Sequence, residues 1–246
     1  MRLDLGLPDE LRSEIAQNLN IVINSAATLS FEEDMDVAIR VNTTGALQLL
    51  KLAEESPNIV AFCQVSTNSA NCDRTGYVEE KVYDSGIDWQ LQYDKLVKMG
   101  KGDLFAKQKE ILGAFPNPYC YTKRMTEHLL QSNNEQGIPI VILRPSVVGA
   151  ALSEPMPGWT DTTKFLGGIT LTVGLGIGKS MPCKEDALIN IVPVDMVARQ
   201  ILVSVPYLIK NHKESNGKED VFITSCSSSS LNPIKFRDFF DYMTEY

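Results

Sequence analysis

A tyrosine and a lysine stand four residues apart in the run Asn117-Pro-Tyr-Cys-Tyr-Thr-Lys123. If this segment is helical, Tyr119 and Lys123 share one face of the helix. A nearby ammonium group lowers the pKa of a phenol, which suits the phenol to donate a proton to a carbonyl group that is being reduced. The same spacing also occurs by chance on solvated helix faces, so the surrounding elements must decide between the two interpretations.

The elements that would position this pair alternate along the chain. Apolar runs predict strands at 21–24, 59–65, 138–143 and 221–224, and helical spacing of apolar residues predicts helices at 11–19, 37–55 and 118–135. Strands separated by helices of this length are typical of right-handed crossovers in a parallel sheet. The sequence therefore predicts an α/β fold with a doubly wound parallel sheet. We expect a single domain, with the sheet core in residues 1–150 and a substrate-side portion in residues 151–246.

Small and polar residues follow three of the predicted strands, at the edge where such sheets bind ligands. Ser66 and Thr67 end one strand, and either hydroxyl could hydrogen-bond the carbonyl oxygen that the tyrosine protonates. Ala26 and Ala27, in the run that begins at Asn24, would let the backbone approach a dinucleotide. One wall of the nicotinamide pocket is predicted to comprise Pro145, Val147 and Val148. Each feature also has a purely structural interpretation, but their order along the chain favours a binding site.

The composition excludes several classes of function. Hydrophobic residues make up 43% and charged residues 22% of the 246 positions, as in an ordinary globular protein. A net charge of −8 argues against nucleic acid as a partner. Five scattered cysteines and two histidines predict neither a disulfide framework nor a metal site. We recognise no secretory signal and no apolar stretch long enough to span a bilayer, so we expect an intracellular protein with no membrane segment in this chain.

Several runs resemble the extended short-chain dehydrogenases and, more specifically, the alcohol-forming fatty acyl-CoA reductases. The runs shared with the wider superfamily are 20–28, 41–45, 65–67 and 119–123. The runs that resemble the reductases in particular are 78–83, 115–123, 140–149, 154–161, 191–197 and 231–234. The most specific is Glu154-Pro-Met-Pro-Gly-Trp159, because generic dehydrogenases lack it. The resemblance covers nearly the whole chain.

This resemblance implies the NADPH-dependent reduction of a long-chain acyl-CoA, through an aldehyde, to a primary alcohol. Thr67, with Ser66 as a substitute, would hold the carbonyl oxygen, and Tyr119 would donate the proton. Lys123 would lower the pKa of Tyr119 and contact the nicotinamide ribose. Other residues implied to line the cofactor are Asn24, Ala26, Ala27, Asn42, Pro145, Val147 and Val148. The resemblance also implies peroxisomal or endoplasmic-reticulum membranes as locations, and it leaves open a homodimer of the full-length protein.

One part of the expected cofactor site is missing from the sequence. No glycine-rich turn, of the kind that binds a pyrophosphate at a helix N-terminus, precedes Asn24. By comparison with the family, we expect the chain to begin after the first three strands and to stop before a helical C-terminal domain. The strand at 21–24 would then have an exposed edge. The choice between NADPH and NADH is not readable from these residues.

Two alternative functions remain. The first is a relative that acts on another carbonyl compound, such as a sterol dehydrogenase, a sugar-nucleotide epimerase or the terminal domain of a carboxylic acid reductase. The run 154–161 argues against this alternative. The second is a non-catalytic remnant that binds a partner through its exposed sheet edge. Retention of Thr67, Tyr119 and Lys123 argues against long-standing loss of catalysis.

Overall fold

Three short apolar strands pair in parallel at the centre of the fold. Strand β1 (Ile21–Asn24) pairs with β2 (Ala61–Val65), and β2 pairs with β3 (Ile140–Pro145). Strand β7 (Val221–Cys226) completes the order β1-β2-β3-β7. The computed structural model describes residues 4–161, 166–178, 180, 183–214 and 221–244. The parallel sheet with its helices confirms the predicted α/β class, and β1 forms one edge of this sheet.

One α-helix precedes β1, and others fill the connections between β1, β2 and β3. These helices are α1 (Asp9–Asn18), α2 (Met35–Ala38), α3 (Gly45–Glu54), α4 (Trp89–Leu96), α5 (Lys101–Leu112) and α6 (Pro118–Ser132). A π-helical segment, Ile39–Thr44, separates α2 from α3. Helix α6 begins where the sequence predicts it. The side chain of Asn117 accepts a hydrogen bond from the backbone N–H of Cys120 at 2.9 Å, and Pro118 occupies the first turn, where its missing N–H costs nothing.

Helix α6 is held by two apolar clusters. Tyr121 and Leu129 belong to a cluster with the aromatic rings of Trp89 and Phe115, whereas Leu130 belongs to a cluster that covers the sheet. The sheet cluster includes Leu50, Phe62, Ile140 and Ile142. A helix anchored by buried side chains in two clusters has little freedom to rotate or slide. The direction in which Tyr119 and Lys123 point is therefore set by the packing of α6.

The chain divides into two compact units. The first comprises Met1–Arg144 and Ser204–Thr224, and the second comprises Pro145–Val203 and Ser225–Tyr246. Within the second unit, β4 (Val147–Gly149) pairs in parallel with β6 (Ile191–Pro193), and β5 (Leu188–Ile189) pairs antiparallel with β8 (Ile234–Lys235). The remaining helices are α7 (Leu166–Gly174), α8 (Val194–Glu214) and α9 (Phe236–Thr244). None of the helices in the described ranges is long and apolar enough to cross a membrane.

Candidate functional site

The phenol of Tyr119 and the hydroxyl of Thr67 lie close together just beyond the carboxyl end of β2, near enough for Thr67 to lower the pKa of the phenol. Tyr119 lies in the first turn of α6. Thr67 caps a short 3-10 turn, Asn68–Asn71, and its Oγ1 accepts a hydrogen bond from the backbone N–H of Ser69 at 3.2 Å. The structure therefore brings together the two hydroxyl groups that the sequence assigns to a carbonyl oxygen.

The environment of Tyr119 keeps its phenol protonated. Burial raises the pKa of Tyr119, and the hydroxyl of Thr67 lowers it only in part. The ring of Phe31 covers the tyrosine, with 5.9 Å between the ring centroids. The net pKa of Tyr119 is raised because burial outweighs the lowering influences, and the expected lowering by Lys123 stays a prediction. The phenol is consequently present in the form that donates a proton.

Lys123 lies below this pair, and only 3% of it is exposed. Its Nζ donates a hydrogen bond to the carbonyl oxygen of Val65 at 2.8 Å and lies 5.8 Å from the centroid of the Tyr119 ring. Burial lowers the pKa of Lys123 to about 8, against the opposing charge of Glu127. The lysine is therefore still protonated at neutral pH, close to the ring but bonded to the end of β2.

Ser66 is committed to a different partner. Its hydroxyl donates a hydrogen bond to a carboxylate oxygen of Glu127 at 2.5 Å, and Glu127 also forms an ion pair with Arg144. Adjacent residues of an extended segment point to opposite sides, so Ser66 faces the buried network while Thr67 faces Tyr119. The contacts do not support Ser66 as a substitute for Thr67.

Asn24 and Asn42 use their side chains to fix the backbone beside the site. The Asn24 amide donates to the Gln64 side chain at 2.9 Å, and its oxygen accepts from the backbone N–H of Ala26 at 3.2 Å. Asn42, in the π-helical segment, accepts from the backbone N–H of Thr28 at 2.9 Å. It also donates to the Thr122 hydroxyl of α6 at 3.0 Å. Both asparagines therefore tie the segment after β1 to its neighbours.

Ala26 and Ala27 lie in the segment held by these two asparagines; Ala26 is exposed and Ala27 is half-buried. No bulky side chain projects from either position, as expected for a stretch where backbone approaches a dinucleotide. Their contact with a cofactor stays a prediction. Pro145, the last residue of β3, and Val147 and Val148 of β4 belong to the second unit. Their role as a pocket wall stays a prediction too.

Sequence reasoning missed the buried polar residues that support the site. On α6, Arg124 donates hydrogen bonds to the side chain of Asn71 and, at 3.3 Å, to the carbonyl oxygen of Tyr83. Arg124 and Glu127 are fully buried. The available signal was their position: they lie three residues apart, on the turn that follows Lys123. Charged residues so close to a buried lysine indicate a polar network inside the protein.

A second missed residue, Asp195, organises the run that carries the most specific resemblance. Its carboxylate accepts hydrogen bonds from the backbone N–H groups of Leu152 at 2.9 Å, Ser153 at 3.0 Å and Glu154 at 3.3 Å. These hydrogen bonds, with that of Leu152 the strongest influence, hold the pKa of Asp195 well below its usual range. The start of the run 154–159 is thus fixed by the first turn of α8.

The chain is similar in sequence to fatty acyl-CoA reductases of several animals. The characterised relatives include fatty acyl-CoA reductase 1 of Rattus norvegicus, 31% identical over 239 residues, with 97% of this chain and 45% of that protein covered. Fatty acyl-CoA reductase wat of Drosophila melanogaster is 31% identical over 211 residues, covering 86% of this chain and 40% of that protein. The chain thus spans less than half the length of these relatives.

A solved structure and a family model complete the comparison. The terminal R domain from the myxalamid PKS-NRPS biosynthetic pathway superposes with a TM-score of 0.68 at 19% identity, covering 100% of this chain and 52% of that one. At this identity the likeness shows the fold alone. A model of NAD-binding domains, described as Male sterility protein, matches residues 1–201. The chain therefore belongs to the Male sterility protein family of NAD-binding domains.

Proposed function

We propose that this chain carries the chemistry of a fatty acyl-CoA reductase, in which NADPH reduces a long-chain acyl-CoA through an aldehyde to a primary alcohol. The observation that carries the proposal is the closeness of the Tyr119 and Thr67 hydroxyl groups, beside the buried ammonium of Lys123. The likeness to fatty acyl-CoA reductases over most of the chain supports the substrate class.

The residues present fit the nicotinamide end of such a cofactor. Among the described contacts, the buried Lys123 ammonium has one hydrogen-bond acceptor, the carbonyl oxygen of Val65. An ammonium group has three N–H bonds, so the hydroxyls of a ribose would supply the acceptors that remain. The exposed Ala26 and the half-buried Ala27 lie along the segment after β1, where a dinucleotide would approach the backbone. When bound, NADPH supplies the hydride.

The two hydroxyl groups would act on the carbonyl oxygen of the thioester. Thr67 would donate a hydrogen bond to this oxygen, and Tyr119 would transfer its proton as negative charge develops there. The phenolate left on Tyr119 would be stabilised by the protonated Lys123. The product of this first step is a hemithioacetal, whose carbon–sulfur bond then breaks to release coenzyme A as a thiol. The resulting aldehyde would be reduced by the hydride of a second NADPH, while the same two groups bind and protonate its oxygen.

The test replaces one tyrosine and uses a second as its control. In the complete gene product, Tyr119→Phe removes the phenolic oxygen of the site, whereas Tyr121→Phe keeps a ring of the aromatic cluster and removes only the hydroxyl that accepts from Gln92. Turnover of long-chain acyl-CoA is followed by NADPH oxidation and by mass spectrometry of the alcohol, and NADPH binding by fluorescence titration. We expect Tyr119→Phe to lose about 10²–10⁴-fold in turnover with unchanged NADPH binding. Alcohol formation at the wild-type rate by Tyr119→Phe would overturn the proposal.

A further inference from the structure

Two thiol groups meet beside the candidate site. Cys72 directly follows the 3-10 turn Asn68–Asn71, which Thr67 caps, and Cys120 is the neighbour of Tyr119 in the first turn of α6. The two thiols lie near enough to shift each other's pKa, and the turn and the helix that carry them are joined by the hydrogen bond from Arg124 to Asn71. Cys72 is exposed, whereas Cys120 is buried. One member of the pair is therefore open to a reagent in solution, and the other is buried beside it.

The backbone on both sides of this contact is fixed by buried hydrogen bonds. Asn71, next to Cys72, accepts a hydrogen bond from Arg124, which lies one turn after Cys120 on α6. Asn71 is 3% exposed and Arg124 is fully buried. The N–H of Cys120 is in turn capped by the side chain of Asn117 at 2.9 Å. The meeting of the two thiols is thus a property of the packed backbone and not of two freely rotating side chains.

We propose that Cys72 and Cys120 form a reversible disulfide when the protein meets a hydroperoxide, which makes this pair a site of oxidative modification. Cys72 is the residue that reacts first, because it is exposed whereas Cys120 is buried. The neighbouring Cys120 thiol lowers the pKa of Cys72, and Arg124 acts in the same direction, whereas burial and the charge of Asp73 oppose it. For Cys120 the neighbouring Cys72 thiol and burial raise the pKa, so it is the resolving thiol.

The reaction balances with hydrogen peroxide as the oxidant. The Cys72 thiolate attacks one peroxide oxygen, a sulfur–oxygen bond forms, the oxygen–oxygen bond breaks, and hydroxide leaves to become water. The sulfur of Cys120, after losing its proton, then attacks the sulfenic acid on Cys72. A sulfur–sulfur bond forms, the sulfur–oxygen bond breaks, and the hydroxyl group leaves as a second water. Two thiols are oxidised by two electrons, and one peroxide is reduced to two waters.

The consequence for reduction rests on the proposed function. A disulfide would covalently link the end of the turn capped by Thr67 to the first turn of α6, which carries Tyr119. Disulfides accept only a narrow range of geometries, so the backbone at Cys72 and Cys120 must adjust to the new bond. We therefore expect the oxidised protein to lose turnover and to regain it when a dithiol reductant cleaves the bond.

The test for the disulfide is independent of any activity. The purified protein is treated with one equivalent of hydrogen peroxide, alkylated and digested with trypsin without reduction. Trypsin cleaves after Lys51 and Arg74 and after Lys109 and Lys123, so the product is a crosslinked pair of peptides that dithiothreitol separates. The first peptide also contains Cys63, so the experiment is repeated with Cys63→Ala. The matched control is Cys183→Ser, which removes another exposed thiol and should leave the crosslink intact.

Two results would support the pairing and two would overturn it. We expect the crosslinked peptides in the wild type, and in Cys120→Ser a sulfenic acid on Cys72 that dimedone traps. Full alkylation of Cys72 and Cys120 after peroxide treatment would overturn the proposal, as would crosslinking of Cys72 to another cysteine. A crosslink without loss of turnover would overturn only the effect on the site. A protein that forms the crosslink but reduces no acyl-CoA would count against the proposed function, not against the disulfide.

Discussion

The carboxylate of Glu127 and the guanidinium of Arg144 form an ion pair at 2.6 Å, with side chains that are 0% and 1% exposed. Glu127 lies on α6 and Arg144 on β3, so the pair joins the helix that carries Tyr119 to the centre of the sheet. Arg144 also donates to the carbonyl oxygen of Lys81 at 3.0 Å, and Ser66 donates to Glu127. Each charged group is therefore satisfied by several partners, as burial requires.

Replacement of Glu127 by glutamine should destabilise the protein strongly. Glu127→Gln leaves the buried guanidinium of Arg144 without a counter-charge, which typically costs about 3–5 kcal/mol of unfolding free energy. Urea denaturation followed by circular dichroism measures the loss. The matched control is Asp186→Asn, which breaks the exposed pair with Lys235 and should change stability little, since exposed pairs contribute little. Equal losses of unfolding free energy in the two variants would show that the buried ion pair contributes no more to stability than the exposed one.

Substitutions of Ser66 and of Thr67 should have different effects, the first on stability and the second on turnover. Ser66→Ala removes a hydrogen bond to a buried carboxylate and should cost about 1.5–3 kcal/mol of stability while leaving acyl-CoA turnover intact. Thr67→Val keeps the shape but removes the hydroxyl, and under the proposed function turnover should fall on the order of 10²-fold. Thr67→Ser, which retains the hydroxyl, is the control for Thr67→Val. If Ser66→Ala lost turnover at a temperature where the variant is folded, Ser66 would have a role in the reaction.

The sheet and the start of α6 could be predicted because their signals are local. Strand β1 has the predicted bounds, and β2 and β3 overlap the predicted runs. Asn117 is an N-cap residue and Pro118 a first-turn proline, and together they mark the start of α6. By contrast, α8 contains Pro206 in its interior, which reads in a sequence as a helix end. Helices α4 and α5 have few buried residues, so their apolar spacing is too weak to separate them from a loop.

The roles of neighbouring hydroxyl and charged groups could not be predicted, because they depend on tertiary packing. Ser66 and Thr67 are equivalent by residue type, and only the approach of Glu127 on one side and of Tyr119 on the other separates them. The spacing of Tyr119 and Lys123 correctly placed them on neighbouring turns of one helix. It could not show that burial would dominate the pKa of the phenol, since the ring of Phe31 comes from a distant segment.

His128 should make the stability of the protein depend on acid. Burial, followed by the charge of Arg124, lowers the pKa of His128 to about 4, and its ring packs against Trp89 with 5.6 Å between centroids. The unfolded chain binds this proton near its ordinary pKa of about 6.5, so it binds more protons than the folded chain between the two values. The contribution of His128 is fully present above pH 6.5 and is lost as the pH falls towards 4.

The measurement for His128 compares two stability curves. Thermal unfolding of the wild type and of His128→Gln is followed at several values between pH 7 and pH 4. The difference between the two melting temperatures should shift against the wild type as the pH falls through this window. His212→Gln, a substitution on α8, is the control and should follow the wild-type curve. A constant difference across the window would mean that His128 has the same affinity for protons in both states.

Lys123 should produce a stability change at alkaline pH. Its pKa of about 8 in the folded protein, lowered by burial, lies below the value of about 10.4 in the unfolded chain. Between these values the unfolded chain binds more protons, so the folded state gains stability as the pH rises from 8 to 10.5, by about 3 kcal/mol in total. Lys123→Met has no proton to lose, so its stability should not rise over this pH range. At pH 7 the wild type still buries the charged ammonium and the variant does not, so the variant should be at least as stable.

Lys101 supplies the control for this alkaline effect, because its shift has the opposite sign. It is exposed, and its hydrogen bond with Asp34 raises its pKa, so its contribution is present below the unfolded pKa and lost as the pH rises. Urea denaturation of the wild type, Lys123→Met and Lys101→Met at pH 7.5, 9 and 10.5 compares the three. The gain should persist in Lys101→Met and vanish in Lys123→Met. If all three curves ran parallel, the Lys123 ammonium would have to be solvated in the folded protein, and its hydrogen bond to Val65 could not be the contact that positions it.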